Sequence, residues 1–261
     1  MLLVIDCGNT NVVFAVYEGD VLKAQWRAAT KTERTSDEFG IWLLELLERD
    51  GLKPEQITHA IVASVVPGRN FDLKGMCEKY FNCKARFIGE PTLDLGTKVR
   101  VDNPREVGAD RIVNAIAAHI TYGGPLIIID FGTATTFDVV DASGAYCGGC
   151  IAPGINLSME ALHMATAQLP RLPVVNPGQA PVVGTTTVAA MTSGVFWGYI
   201  GLIEGLVARI RAERESIENK KMTVIGTGGL APLFAEATTV IQHIDPDLTL
   251  RGLALVHQRN S

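Results

Sequence analysis

Two short stretches of this sequence carry chemistry-bearing residues in the same order. Asp6-Cys7-Gly8-Asn9-Thr10-Asn11 and Asp130-Phe131-Gly132-Thr133-Ala134-Thr135-Thr136 each place an aspartate at the end of an apolar run and a glycine two residues on, followed by small hydroxyl or amide residues. A glycine where strand reverses into strand allows a tight turn. The N–H groups of such a turn suit an oxyanion, and Asn9, Thr10, Asn11 and Thr133 add side-chain donors. A strand-end aspartate can hold Mg²⁺ through water, or a water or cation directly. The chemistry is phosphate binding. Either turn alone reads equally well as an Asx-type turn without a ligand; the pair points to a triphosphate gripped from two sides.

A third group is Gly108-Ala109-Asp110-Arg111, at the start of a predicted helix. Phosphoryl transfer needs an in-line hydroxyl, a charge clamp and a group that orients the nucleophile. Asp110 suits the last role, and Arg111 suits an anionic carboxylate or phosphate. The plainer reading is a helix-start charge pair. At a helix N-terminus Asp110 is expected to have a lowered pKa. His119 and His163 fall in helical stretches and read as core or surface residues rather than bases.

The elements that must position these residues follow from periodicity and turn signals. Strands are expected at Leu2 to Asp6, Asn11 to Tyr17 and Val21 to Ala28, with Gly19-Asp20 as a tight turn. A polar loop over 30–37 leads to a helix capped near Ser36, with Phe39, Trp42, Leu43, Leu46 and Leu47 as its apolar positions. A strand at Ala60 to Val65, a helix at Phe71 to Tyr80, a strand at Ala85 to Ile88 and a helix at Val107 to His119 follow. After Gly123-Gly124-Pro125 the pattern restarts: strands at Leu126 to Asp130, Thr135 to Val140 and Ala145 to Ile151, then a helix over Asn156 to Ala167. A proline-rich excursion over 170–181 precedes a long helix from Val188 to Arg214, which its glycines could divide. Strands at Met222 to Ile225 and Thr239 to Gln242 and a helix at Leu248 to Gln258 close the chain. Asp6 and Asp130 lie 124 residues apart in a chain of 261, which reads as an internal duplication.

Composition narrows the function class. Apolar residues are 47% and charged residues 20%, an ordinary globular balance, and the net charge of −5 comes without a basic block that could track a nucleic-acid backbone. The opening residues lack a basic n-region and read as a buried strand, which points to the cytoplasm. Val188 to Ile203 is sixteen residues without a charge, short of the ~20 that a membrane span requires. It is expected to be a buried or subunit-contacting helix. Its flank of Gly194, Gly198, Gly201 and Gly205 could admit another helix closely. Five cysteines argue against a disulfide framework, and Cys147-Gly148-Gly149-Cys150 is at most half a zinc site. The first strand leads into a second strand without a Gly-x-Gly-x-x-Gly, and no Walker loop is present, so neither a Rossmann nor a P-loop reading holds.

Six segments together resemble one family: the two aspartate-glycine turns, Asp102-Asn103-Pro104-Arg105-Glu106-Val107-Gly108-Ala109-Asp110-Arg111, Gly148-Gly149-Cys150-Ile151-Ala152-Pro153-Gly154, Thr187-Val188-Ala189-Ala190-Met191-Thr192-Ser193-Gly194, and Thr227-Gly228-Gly229-Leu230-Ala231. In this order they are similar to the bacterial type III pantothenate kinases, of the sugar kinase/actin/heat-shock-70 ATPase superfamily, over nearly the full length. The resemblance implies an α/β chain with a duplicated actin-like (ribonuclease H-like) ATPase fold, mixed sheets flanked by helices, in halves 1–123 and 124–261. It implies ATP-dependent phosphorylation of pantothenate to 4′-phosphopantothenate, the first step of coenzyme A synthesis. It also implies Mg²⁺, a monovalent cation (K⁺ or NH₄⁺) and a cytoplasmic homodimer with substrate sites at the interface, acting on neither nucleic acid nor membrane. By motif, Asp6, Gly8, Asn9, Thr10 and Asn11 would form the first phosphate loop, with Asp6 organising hydrated Mg²⁺. Asp110 would be the general base. Gly108, Ala109 and Arg111 would contact substrate, and Thr187 would do so from the partner chain. Asp130 would hold the monovalent cation, Thr133 would contact ATP, and Gly228 and Gly229 would lie beside the nucleotide. Many relatives carry an aromatic just before the Asp-Asn-Pro segment; here it is Val101, so this wall of the substrate pocket differs.

Overall fold

The computed structural model describes residues 1–30, 34–166 and 168–261. Residues 31–33 of the expected polar loop, and Ala167 at the end of an expected helix, lie outside the described residues. The chain forms two compact units. The first comprises Met1–Lys98, Asp102–Ala117 and Leu248–Ser261; the second comprises Val99–Val101 and Ala118–Asp247.

The first unit opens with β1 (Leu2–Cys7), β2 (Asn11–Glu18) and β3 (Val21–Ala29), followed by α1 (Ser36–Arg49), β4 (His59–Ser64), α2 (Asn70–Phe81) and β5 (Ala85–Phe87). α3 (Ala109–Tyr122) begins in this unit, and α7 (Leu248–Arg259) returns to it. The sheet order is β3-β2-β1-β4-β5. β1 runs antiparallel to β2 and parallel to β4, so it is hydrogen-bonded on both edges. Side chains alternate between faces. Leu3, Ile5 and Cys7 pack with Phe39, Leu43 and Leu47 of α1 and with Leu73, Met76 and Cys77 of α2. Leu2, Val4 and Asp6 take the other face, where α7 packs on β1 and β4. Thr35 caps α1 and Glu38 completes a capping box, so the cap lies one residue before the expected Ser36.

The second unit holds β6 (Leu126–Phe131), β7 (Ala134–Val140), β8 (Tyr146–Pro153), α4 (Ile155–Met164), α5 (Thr187–Glu218), β9 (Thr223–Thr227), α6 (Ala231–Ala235) and β10 (His243–Ile244). Its sheet order, read from the hairpin side, is β8-β7-β6-β9-β10. β6 is antiparallel to β7 and parallel to β9, and β9 is parallel to β10. Strand for strand this is the arrangement of the first unit, and the two central strands share one burial pattern: four buried residues, a half-buried aspartate, one buried residue. The duplication read from two aspartates and two glycines is therefore a duplication of topology, and the fold is the duplicated actin-like one.

Most element ends shift by a few residues from the sequence reading, and two differences have a clear physical cause. α5 is one continuous helix of 32 residues, undivided by its glycines. Phe196, Tyr199, Ile200, Ile203, Val207 and Ile210 form a buried stripe at helical spacing against the second core, and that packing offsets the cost of glycine in the helix. The last strand is His243–Ile244 rather than 239–242: Ile241 packs into the core, Gln242 N–H donates to the Val224 carbonyl at 2.9 Å, and the ladder with β9 registers from His243.

In the first unit, Gly252 of α7 lies directly on α3. A Cβ there would sit 2.2 Å from the carbonyl oxygen of Val113, a backbone atom that cannot rotate away. Gly252→Ala is expected to destabilise the protein by about 1–3 kcal/mol through overpacking. The urea unfolding midpoint reads this, and an unchanged midpoint would contradict the close α3–α7 packing.

Candidate active site

Both aspartate-glycine turns form at the carboxyl end of a central strand. In the first, Gly8 N–H donates to the Asn11 carbonyl at 3.0 Å, leaving Asn9 and Thr10 exposed at the tip. Thr30 braces the turn: its Oγ1 donates to the Gly8 carbonyl at 2.7 Å and its N–H to the Thr10 carbonyl at 2.9 Å. In the second, Gly132 N–H donates to the Ala134 carbonyl at 3.1 Å, so Thr133 alone occupies the tip. Four residues (8 to 11) separate the paired Cys7 and Val12, against three (132 to 134) between Phe131 and Thr135. The two turns are alike in place and unlike in shape.

The second turn is walled by glycines. Gly154 N–H, at the start of α4, donates to the Thr133 carbonyl at 3.1 Å, and a Cβ on Gly154 would stand 2.3 Å from that oxygen. Gly228, after β9, has φ +84°, in the left-handed region that favours glycine. The point where its Cβ would sit is 2.7 Å from both Asp130 Oδ1 and the Phe131 carbonyl oxygen. A side chain at 228 would therefore collide with the strand-end carboxylate and the strand backbone, and glycine lets the end of β9 lie close against Asp130. Among the described residues no group of three or more His, Cys, Asp and Glu side chains could hold a metal. Asp6 offers Mg²⁺ a single strand-end carboxylate, which fits an ion that keeps several waters and takes its remaining ligands from phosphates. Beneath the second turn, Thr135 is buried and hydrogen-bonded to the Tyr199 hydroxyl of α5. Thr30, Gly154 and Tyr199 are supports that the motif reading did not name; only Gly154 stood in a quoted motif.

Within the first unit, Asp6 and the Asp110 segment come to one end and one face of the sheet. Asp6 is paired with Ala63 of β4. Val65, two residues on, donates its N–H to the Cys7 carbonyl at 3.0 Å. Its Cγ1 lies 3.4 Å from the place a Cβ on Gly108 would take. Gly108 precedes α3, and its carbonyl accepts the N–H of Arg111 and of Ile112. A side chain at 108 would also meet Asp110 Oδ1 at 2.5 Å, so glycine here leaves room for the carboxylate.

The expected lowering of the Asp110 pKa is corrected. Burial pushes its carboxyl above the ordinary value, outweighing the Arg111 N–H that donates to Oδ1 at 2.8 Å and the Arg111 charge. Desolvation of the charged form wins over the helix terminus. The other residues of the sequence reading are placed as follows. Ala109 is the first residue of α3, Gly229 is exposed beside Gly228, and Thr187 is the exposed first residue of α5, with Thr186 as cap. Within one chain α5 carries Thr187 away from the second turn: it stands twelve residues before Tyr199, about 18 Å along the helix. Val101 lies beside Gly148, 3.6 Å from its potential Cβ.

A raised carboxyl pKa is a stability cost with a defined sign. Between the unfolded and the folded pKa the native state binds more proton, so stability falls as pH rises through that window and stays reduced above it. Asp110→Asn is expected to raise the melting temperature at pH 7, with the gain shrinking as the pH approaches the carboxylic range. A variant less stable than the parent at pH 7 would contradict the buried-charge account.

Comparison with known proteins identifies the family. Residues 2–209 match the family model for type III pantothenate kinase. The relative from Paramagnetospirillum magneticum, called type III pantothenate kinase, is 61% identical over 261 residues, covering 100% of this chain and 98% of its own. That from Rhodospirillum rubrum, with the same name, is 59% identical over 260 residues, covering 100% and 99%. Among solved structures, a Baf family protein from Campylobacter jejuni superposes with a TM-score of 0.60 at 20% identity, covering 99% of this chain and 98% of that one. A Sinorhizobium meliloti protein assigned as a 2-dehydro-3-deoxygalactonokinase gives 0.61 at 14% identity, covering 99% and 96%. At such identities these two structures speak for the fold alone. The full-length relatives and the family match together place this chain in the type III pantothenate kinase family.

Proposed function

We propose that this chain transfers the γ-phosphoryl group of ATP to the primary hydroxyl of pantothenate, giving 4′-phosphopantothenate for coenzyme A synthesis. The observation that carries the reading is Asp110. It is a carboxylate with a raised pKa at the head of α3, on the sheet face and at the sheet end that carry Asp6. A higher pKa makes it a better proton acceptor than an exposed aspartate. It orients the hydroxyl and takes its proton as the phosphorus–oxygen bond forms. Arg111 holds the pantothenate carboxylate, with Gly108 and Ala109 offering backbone to the substrate. By motif, Gly8, Asn9, Thr10 and Asn11 would contact the triphosphate, and Thr133, Gly228 and Gly229 would contact nucleotide.

Asp6 would hold hydrated Mg²⁺, which neutralises developing phosphate charge when bound. Asp130, a strand-end carboxylate of the second unit, would hold K⁺ or NH₄⁺. Thr187 serves the site of a second copy, which the length of α5 between it and Tyr199 favours. The homodimer is further supported by the open α5 edge at Gly194, Gly198 and Gly201, where a Cβ would meet nothing within 4 Å. α5 is long and apolar enough to cross a membrane, but its buried stripe reads as a core helix, and we place the enzyme in the cytoplasm, acting on neither membrane nor nucleic acid.

Purified protein with ATP, Mg²⁺, KCl and pantothenate should yield phosphopantothenate by mass spectrometry; no product above a heat-killed control sinks the assignment. Asp110→Asn should stay folded and lose ~10²–10⁴-fold in kcat, the usual share of a general base. An unchanged kcat removes Asp110 from the mechanism. Replacing K⁺ with Na⁺ should raise the apparent KM for ATP, and identical profiles in the two salts would count against the role of Asp130.

A further inference from the structure

The second unit contains a cavity that the phosphoryl-transfer chemistry does not use. It measures about 540 Å³ and is lined in part by Arg100, Asp141, Ser143, Cys147, Arg214 and Glu218. It lies at the β7–β8 turn. Asp130 pairs with Thr136, whereas Leu126, at the other end of β6, pairs with Val140 just before this turn. Four strand residues, about 13 Å, therefore separate the level of the cavity from that of the phosphate turn.

Hydrogen-bond accounting shows what the cavity lacks. Its two carboxylates are already satisfied. Asp141 Oδ1 accepts from Ser143 N–H, Ser143 Oγ and Ala145 N–H at 2.8, 2.6 and 2.9 Å. Its Oδ2 accepts from Arg100 Nη1 at 2.6 Å. Glu218 accepts from Ala142 N–H and from Arg214 Nη2, each at 3.0 Å. The arginines are not used up. Arg214 Nε is buried with no acceptor among the described residues, and Arg100 spends only Nη1 while its side chain remains 54% exposed. A buried N–H without an acceptor is costly. The thiol of Cys147 adds no competing negative charge, since burial and the Asp141 charge push its pKa up. What remains in the cavity is a surplus of donors on two guanidinium groups.

We propose that this cavity binds a small organic oxyanion, a carboxylate or phosphate ester, between Arg100 and Arg214, with Ile217 as the apolar wall for its carbon part. Guanidinium forks match both oxyanions, and Arg100, more than half exposed, can turn its remaining donors to the bound group. The site is independent of the kinase reading. Arg100 also sits in the three-residue segment Val99–Val101 that pairs with Tyr146 and runs in sequence into the Asp102–Arg111 motif.

The test uses the full chain and two probes, inorganic phosphate and acetate, at constant ionic strength in chloride. Amide resonances of Ala142 and Ser143 report on the cavity, and those of Gly8 and Gly132 on the phosphate turns. A saturable shift at Ala142 and Ser143 with at least one probe is expected. It should weaken about tenfold or more in Arg214→Gln and in Arg100→Gln, while the Gly132 response stays as in the parent. Arg214 also ties down Glu218, so if Arg214→Gln melts early, Arg100→Gln decides. Shifts that stay linear for both anions, or an affinity unchanged in Arg100→Gln, overturn the proposal.

Discussion

A strand hydrogen-bonded along both edges and covered on both faces can carry a carboxylate only where the cover stops. β1 and β6 are such strands, each four buried apolar residues long before the aspartate. Burying an unpaired charge among Val4, Ile5 or Ile128, Ile129 would cost far more than any turn geometry returns. The aspartates therefore fall at the carboxyl end, and the chain reverses immediately after them. Everything that could hold phosphate follows from that position. The Gly8 and Gly132 N–H groups begin the reversals, Asn9, Thr10 and Thr133 are pushed to the tips, and the parallel neighbours β4 and β9 end at the same edge. β4 thereby delivers Val65 to Gly108, and β9 delivers Gly228 to Asp130.

Asp110 is governed by the opposing pair of forces that decides many carboxylates. The head of α3 favours its charge, and the surrounding protein disfavours it. Burial prevails, and the result is a group less content as an anion than its neighbours on the surface. Asp37 is the counterexample within the same chain. It is also in the first turn of a helix, but it is exposed and accepts from Lys79 Nζ at 2.7 Å and the Tyr80 hydroxyl at 2.9 Å, so its pKa is lowered. The two aspartates share a helix position and differ in solvent.

α5 shows how one helix serves two demands. Its buried stripe supplies much of the second core, including Phe196, Ile203 and Val207. Its other edge is glycine, where nothing approaches within 4 Å at Gly194, Gly198 and Gly201. A composition that passes for a membrane segment is thus an average over two unlike faces, and only the angular distribution separates them.

The sequence by itself determined the type and order of nearly all the elements, because alternation and helical periodicity are local properties of a burying chain. It also identified the repeat and the two turns, since an aspartate-glycine pair after an apolar run states its own geometry. Tertiary structure decided the rest. The unequal turn lengths come from strand register, which no single strand encodes. The unbroken α5 comes from packing that overrides four glycines. The short strand His243–Ile244 is set by its register against β9, a neighbour remote in sequence. The direction of the Asp110 shift was misjudged from sequence because helix position is local, whereas burial is contributed by residues remote along the chain. The donors left over on Arg100 and Arg214 were invisible for the same reason: 114 residues separate them in sequence, and only the fold sets them around one cavity with their acids already satisfied.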